Sequence, residues 1–508
     1  MAYIVQQVIR TKKPFLRIRG AALSHLTQKE TPTMAFRYGN RKQTHLFPQS
    51  IEDYVSANDP VRAYDAFVEA LDFEELKIDL DPHKVGNAEY DPRAMLKLLI
   101  YGYSYGHRGS RKLERATYHN TSFVWLMGGL NPDHNTISRF RKEHGVALKN
   151  ALVQCARMCI KLDLIEGNTL FVDGSKIRAN ASINQTWTAE RCEKYLQKLG
   201  ARIDAILAEC KLVDEQEQGN PSLVKLKDEL KNGETLKAKI EAVQKEIKAR
   251  KADSLNATDP DCVKVKGRQG THAGYNGQIV VDEKHGLIVH SDVVNENNDV
   301  KQFANQIEQA QQTLDRKCAH ACGDAGYANT DELKKIDDQN ITVIVPSIKQ
   351  AHDKPLSPFD KARFQYDRHG DCYTCPQGRS LPFSYFRKDK QRRAYRIEDK
   401  SLCLACPHFG VCTKAKDGRE INRLVNEETK LKLEAQYKKP ESQAIYKLRK
   451  QKVELPFGHI KRNLGAGAFL LKGLAGVKAE MALFASCFNI VRMINILGVP
   501  KLMAELTG

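Results

Sequence analysis

Apolar residues recur at helical spacing through the first third of the chain and give way to short apolar runs further on. From about Ile51 to Leu162 the pattern predicts helices, two of them opened by a capping aspartate followed by proline at Asp59-Pro60 and Asp91-Pro92. Leu96, Leu99 and Ile100 mark one buried helical face. The run Leu170-Phe171-Val172 then reads as a buried strand that ends on Asp173, Gly174 and Ser175. A long Lys-, Glu- and Leu-rich stretch from Trp187 to about Ala252, broken near Gly219-Asn220-Pro221, predicts an antiparallel helical hairpin with a charged outer face. Strand texture resumes in 275–282 and 287–294, joined by a glycine-bearing turn as in a hairpin. A helix follows from Asp299, then a strand end carrying Asp324 between Gly323 and Gly326, a helix from about Thr330, and the apolar run 341–345. This alternation predicts an α/β fold, a mixed sheet covered by helices. The apolar stretch from Met481 to Val499 contains Asn489, Arg492 and Asn495, so it reads as a buried helix and not as a plain membrane span.

Composition narrows the partner. The chain has 508 residues, 41% of them hydrophobic, enough for two or three domains with real cores. Its 80 Lys and Arg against 62 Asp and Glu leave a net charge of +18, which favours a polyanion, nucleic acid before an acidic membrane surface. The N-terminus has no charged-then-apolar signal layout, so a cytoplasmic protein is expected. Residues 1–40 form a basic leader, read as a disordered arm or a misassigned start ahead of Met34. Residues 41–162 are expected to bind DNA. Within them the segments 110–116 and 131–142 are patterned as paired short helices, with Arg139 and Arg141 offered to DNA. An ordinary surface helix capped at Asp133 or Asn135 fits the same residues.

Thirteen cysteines in a chain of this kind do not make a disulfide framework. Cys372 and Cys375 form one CxxC pair and Cys403 and Cys406 a second, and two such pairs suit a tetrahedral structural zinc ion. Cys412 and His408 lie close behind as alternative ligands. Between the pairs, the run 387–396 holds four arginines and two lysines, able to follow a phosphate backbone or simply to be solvated.

Three acids complete the reading: Asp173, Asp324 and Glu454, each on a different element. Glu454 lies on a basic helix with Tyr446, Arg449 and Lys461, and Glu454 and Lys461, seven residues apart, share a face although Pro456 should kink the helix between them. Such acids suit divalent metal ions beside a bound phosphate; a salt-bridged surface helix is the plainer alternative for the last of them.

Together, the Val-Asp-Gly-Ser motif at 172–175, the Gly-Asp-Ala-Gly-Tyr motif at 323–327, the cysteine pairs and the Tyr446, Arg449, Glu454, Lys461 series resemble the DDE transposases of bacterial insertion sequences. The resemblance is to the branch related to insertion sequence four and its cysteine-bearing relatives, and it covers most of the chain from about Met34. It implies an RNase H-like catalytic domain over 163–350 and 428–508, with the helical insertion at 187–256 and the cysteine-rich, zinc-binding insertion at 351–427. By resemblance Asp173, Asp324 and Glu454 hold two Mg²⁺ or Mn²⁺ ions, while Tyr446, Arg449 and Lys461 hold DNA phosphates. The family signature sets three residues between the arginine and the glutamate; here four separate Arg449 from Glu454. The implied activity is cleavage at the terminal inverted repeats by water, then attack of the freed 3′-hydroxyl on target DNA, by a nucleoid-associated homodimer with no membrane partner. A non-catalytic DNA-binding regulator and a stand-alone RNase H-like nuclease are the competing readings.

Overall fold

The computed structural model describes residues 50–507 apart from 82, 84–88, 217–220, 268–269 and 353–355. The basic leader read over residues 1–40 lies outside the described residues. Both aspartate–proline openings are realised: Asp59 Oδ1 accepts from the Val61 amide at 2.9 Å and Asp91 Oδ1 from the Arg93 amide at 2.8 Å. They start the helices Pro60–Glu69 and Pro92–Ser104. Proline at the first helical position costs no hydrogen bond, and the aspartate satisfies one of the orphaned amides.

Strands β1 (Thr169–Arg178), β2 (Thr186–Trp187), β3 (Leu255–Asn256), β4 (Val263–Gly267), β5 (Gly270–Asp282), β6 (Ile288–Val294), β7 (His320–Cys322) and β8 (Thr342–Ile344) follow the N-terminal helices. The main sheet runs β6-β5-β1-β7-β8, with β4 paired to the opening residues of β5. β5 is antiparallel to both of its neighbours, β6 and β1, and β1, β7 and β8 are parallel. The sheet is therefore mixed. The helical excursion Ala189–Gln216 and Pro221–Arg250 leaves through β2 and returns through β3, which pair as a two-stranded clip with Trp187 opposite Leu255.

The most buried helix is Leu474–Leu497, which packs against the helices Gly145–Lys161 and Pro92–Ser104 and against β6. Gly473–Leu497 is long and apolar enough to cross a membrane, yet 72% of its most apolar window is buried against the rest of the protein. Two of its buried polar side chains, Asn489 and Glu480, find partners there. Asn489 receives the Ile288 amide at 2.8 Å and donates to the Ile288 carbonyl at 2.7 Å. Glu480, fully buried, pairs with Arg108 at 2.9 Å and accepts the amides of Leu470 and Leu471 at 2.8 and 3.0 Å. This pair links the N-terminal helices to the C-terminal one, so the two ends of the described chain share one core.

The cysteine-bearing region forms a separate small sheet of β9 (Gln365–Asp367), β10 (Cys372–Thr374), β11 (Ser380–Arg387), β12 (Arg392–Arg396) and β13 (Glu420–Leu424), in the order β13-β12-β11-β10-β9. Its core contains Phe364, Tyr373, Leu381, Tyr395, Ile397 and Ile421.

Candidate active site

Parallel register brings the first two acids together. β1 and β7 pair at Thr169 with His320, Leu170 with Ala321 and Phe171 with Cys322. Asp173 and Asp324 each lie two residues past that last rung, so they sit at the same level, Asp324 just beyond the end of β7 and Asp173 where β1 leaves β7; β1 does not end there as the sequence suggested but runs on to Arg178, still paired with β5. β1 is fully buried through Val172, half-buried from Asp173 to Lys176 and buried again at Ile177. Asp324 caps a single turn, accepting from the Gly326 amide at 2.8 Å.

The helix Pro440–Arg462 packs along β1 through Val453, Phe457 and Ile460, and it runs unbroken with Pro456 buried inside it. Arg449 Nη2 lies 2.9 Å from Asp173 Oδ1 and 3.3 Å from Asp324 Oδ2. Lys461 Nζ donates to the Ser175 hydroxyl and, at 3.1 Å, to the Lys176 carbonyl. Tyr446 is half-buried against the ring of Tyr437. Glu454 is exposed, about 140° round the helix from Arg449 and about 20° from Lys461. It makes no ion pair among the described residues. The structure thus brings Asp173, Asp324 and Arg449 together and leaves Glu454 on the flank, in line with the Lys461 contact to β1.

Burial raises the Asp173 carboxyl to about 6, against the pull of Arg449 and with help from the charges of Asp324 and Asp299. Burial also works against the charge on Arg449, but Asp173 and Asp324 more than offset it and hold the guanidinium above its ordinary value. A cation between two carboxylates is the stable arrangement here.

A third aspartate escaped the sequence reading as anything but a helix start. Asp299 Oδ1 receives Asn276 Nδ2 and Gln278 Nε2, both at 2.7 Å, and Lys176 Nζ stands 3.8 Å away. Tyr327 donates to Gln278 Oε1 at 2.6 Å. Gly174 is the position over which this network closes: a Cβ there would fall 2.4 Å from Gln278 Nε2 and 2.5 Å from Asp299 Oδ1. The available signal was Gly174 itself, beside Asp173, together with the buried polar pair Asn276 and Gln278 on one face of β5.

Among the described residues, no group of three or more His, Cys, Asp or Glu side chains is drawn into a metal-holding cluster. The donor chemistry at Asp173 and Asp324 nonetheless fits a hard divalent cation: two carboxylates at one level, already gathered by a positive charge.

One reading of a basic residue is corrected and one is narrowed. Arg141 is buried, donating to the Tyr103 hydroxyl and the Arg108 carbonyl, both at 2.9 Å, so it is fixed in the core and does not reach DNA. Arg139, two residues earlier on the helix His134–Glu143, is exposed. In the run 387–396, Arg387 and Arg396 both pair with Glu420, and Arg393 with Asp371, so much of its charge is answered within the protein.

Of the four thiols read as two CxxC pairs, the structure gathers three. Cys375, Cys403 and Cys406 line one cavity of about 30 Å³ together with Cys412, and Cys372 is not in its wall. Cys372 lies in β10 next to Tyr373, whose ring enters the small core. Alternation along a strand sends neighbouring side chains to opposite faces. The turn comes later, at residues 375–378, where Gly378 adopts φ +75° and donates to the Cys375 carbonyl at 2.8 Å.

Comparison with known proteins adds family matches for two segments. Residues 374–494 match the family described as "Transposase DDE domain", and residues 49–143 match "Transposase domain (DUF772)". The first segment includes Tyr446, Arg449, Glu454 and Lys461; Asp173 and Asp324 fall outside both. No curated protein matches. Among solved structures, the cryo-EM structure of a piggyBac transposase synaptic complex with hairpin DNA aligns over 89% of this chain and 79% of that chain, at 10% identity and a TM-score of 0.32. The two family matches, one at the N-terminal helices and one spanning the Glu454 helix, support a DDE transposase.

Proposed function

We propose that the chain is a DNA transposase that cuts at insertion-sequence ends and joins the freed 3′-hydroxyl to target DNA by phosphoryl transfer. The observation that carries this reading is the shared level of Asp173 and Asp324 on neighbouring parallel strands beneath one guanidinium. The strand order, three antiparallel strands followed by two parallel ones, supports an RNase H-like fold. Mg²⁺ or Mn²⁺ ions held by Asp173, Asp324 and Glu454 would activate the attacking oxygen and stabilise the leaving one. Arg449 holds the two aspartates in place and, once they take up cations, has its guanidinium available to a DNA phosphate. Lys461, tied to β1 two residues beyond Asp173, carries positive charge to the same stretch of the strand. Tyr446 and the exposed Arg139 are the further DNA contacts. Double-stranded DNA is the partner, at terminal inverted repeats and at the target, with a nucleoid-associated, cytoplasmic homodimer pairing two ends.

The test uses plasmid DNA carrying the sequences that flank the gene, incubated with purified protein and Mg²⁺. Wild type should cut at the outer repeat boundary and yield joined products. Asp173→Asn and Glu454→Gln should bind the ends as wild type does and cut nothing. Cutting without joining would make the protein a stand-alone nuclease. Binding without cutting by wild type would make it a regulator. Normal cutting by Asp173→Asn would overturn the site.

A further inference from the structure

From the geometry we infer that the small sheet carries a structural zinc site whose ligands are Cys375, Cys403, Cys406 and Cys412, with Cys372 excluded. The inference is independent of the nuclease reading. Four thiols surround one cavity of about 30 Å³, roughly the volume of a single small ion or water. They come from two turns. Cys375 opens the turn closed by Gly378, its amide donating to the Arg379 carbonyl at 2.8 Å. Cys403 and Cys406 share a turn in which the Cys406 amide donates to the Cys403 carbonyl at 3.2 Å, and the chain comes round through Gly410, at φ +90°, to Cys412.

Two further observations point to a charged occupant. Arg379 and Arg419 also line the cavity, and Arg379 Nη1 and Arg419 Nε are buried without a hydrogen-bond partner. Four thiolates on one zinc ion carry two net negative charges, and N–H donors aimed at the sulfurs are the usual outer shell of such a centre. The second observation is mechanical. Residues 397–419 join β12 to β13 with only one short helix, Ser401–Leu404, and the core beneath contains few large side chains. A long connection over a small core calls for a staple. The thiols line the cavity without closing into a cluster, so binding requires them to rotate inward while the backbone turns are kept. His408, also in the wall, has its ring against Phe359 at 4.8 Å and is left out of the ligand set.

The experiment measures zinc in the purified full-length chain by elemental analysis, and the absorption of the cobalt-substituted protein. Wild type, Cys372→Ser and His408→Ala should each hold about one zinc per chain, and Cys412→Ser should lose it. Cys412→His keeps a ligand in place and guards against a failure to fold; it should retain metal with the sulfur-to-cobalt band about one quarter weaker, whereas Cys372→His should leave the band unchanged. Zinc absent from wild type, zinc lost in Cys372→Ser or His408→Ala, or an unchanged band in Cys412→His would each overturn the assignment.

Discussion

Asp173 and Arg449 stand 2.9 Å apart although the pair spans 276 positions of the sequence, and the same guanidinium nitrogen is within 3.3 Å of Asp324. With both partners of the closer pair mostly buried, removing one leaves the other uncompensated. Arg449→Gln should therefore destabilise the metal-free protein by about 3 kcal/mol. Urea denaturation in a chelator should record that loss, and added Mg²⁺ should restore part of it. An unchanged midpoint would mean that the guanidinium does not hold the aspartates.

The raised Asp173 carboxyl sets a pH dependence of stability. Its folded value of about 6 lies above its ordinary 3.8, so between those values the folded state keeps a proton that the unfolded chain has lost. Stability from this group is therefore complete below about pH 4 and declines as pH rises to about 6, by up to ~3 kcal/mol. Chelator-treated wild type should show this slope in denaturation midpoints, and Asp173→Asn should remove it.

Cleavage should run the opposite way. A carboxyl must be ionised to bind a cation, so the rate should fall as pH drops through about 6. Raising Mg²⁺ should move that limb to lower pH, because cation binding competes with the proton. A limb indifferent to metal concentration would assign it to another group.

Asp299 organises the ground beside Asp173 without being one of the three acids. Asp299→Ala leaves the amides of Asn276 and Gln278 without their acceptor, at about 1–3 kcal/mol each. It should lower stability and, by removing a neighbouring negative charge, bring the acidic limb of cleavage to lower pH. A structural role alone would move the melting temperature and leave the limb where it was.

The two arginines of the helix His134–Glu143 should separate cleanly. Arg141→Ala removes a buried donor from Tyr103 and Arg108 and should lower the melting temperature. Arg139→Ala should leave melting unchanged and weaken DNA binding, reducing the salt slope by about 1. The reverse pattern would place the DNA on the other side of the helix.

Much of this was legible in the residues because local patterns reported it. Leu170, Phe171 and Val172 read as a buried strand since all three are apolar and all three are covered, and the aspartate–proline pairs opened helices because their chemistry is local. What failed depended on the third dimension. Arg141 looked like any basic residue of a helix, and only the approach of the helix Pro92–Ser104, with Tyr103, buries it. Cys372 and Cys375 have the spacing of a metal-binding pair, but the strand between them turns the first thiol away from the second. Asp299 has no motif of its own; its meaning lies in two side-chain amides of β5 that donate to it.

Where the helical excursion leaves and rejoins the sheet, its two stalks touch. Trp187 and Leu255 are cross-strand neighbours in the β2–β3 clip, so the ends of more than sixty residues are already at the spacing of a tight turn. A single in-frame deletion closed there would remove the whole excursion with no re-threading of the main sheet, to which β2 and β3 do not belong. The clip is a graft junction: a two-residue turn would span the gap between its strands.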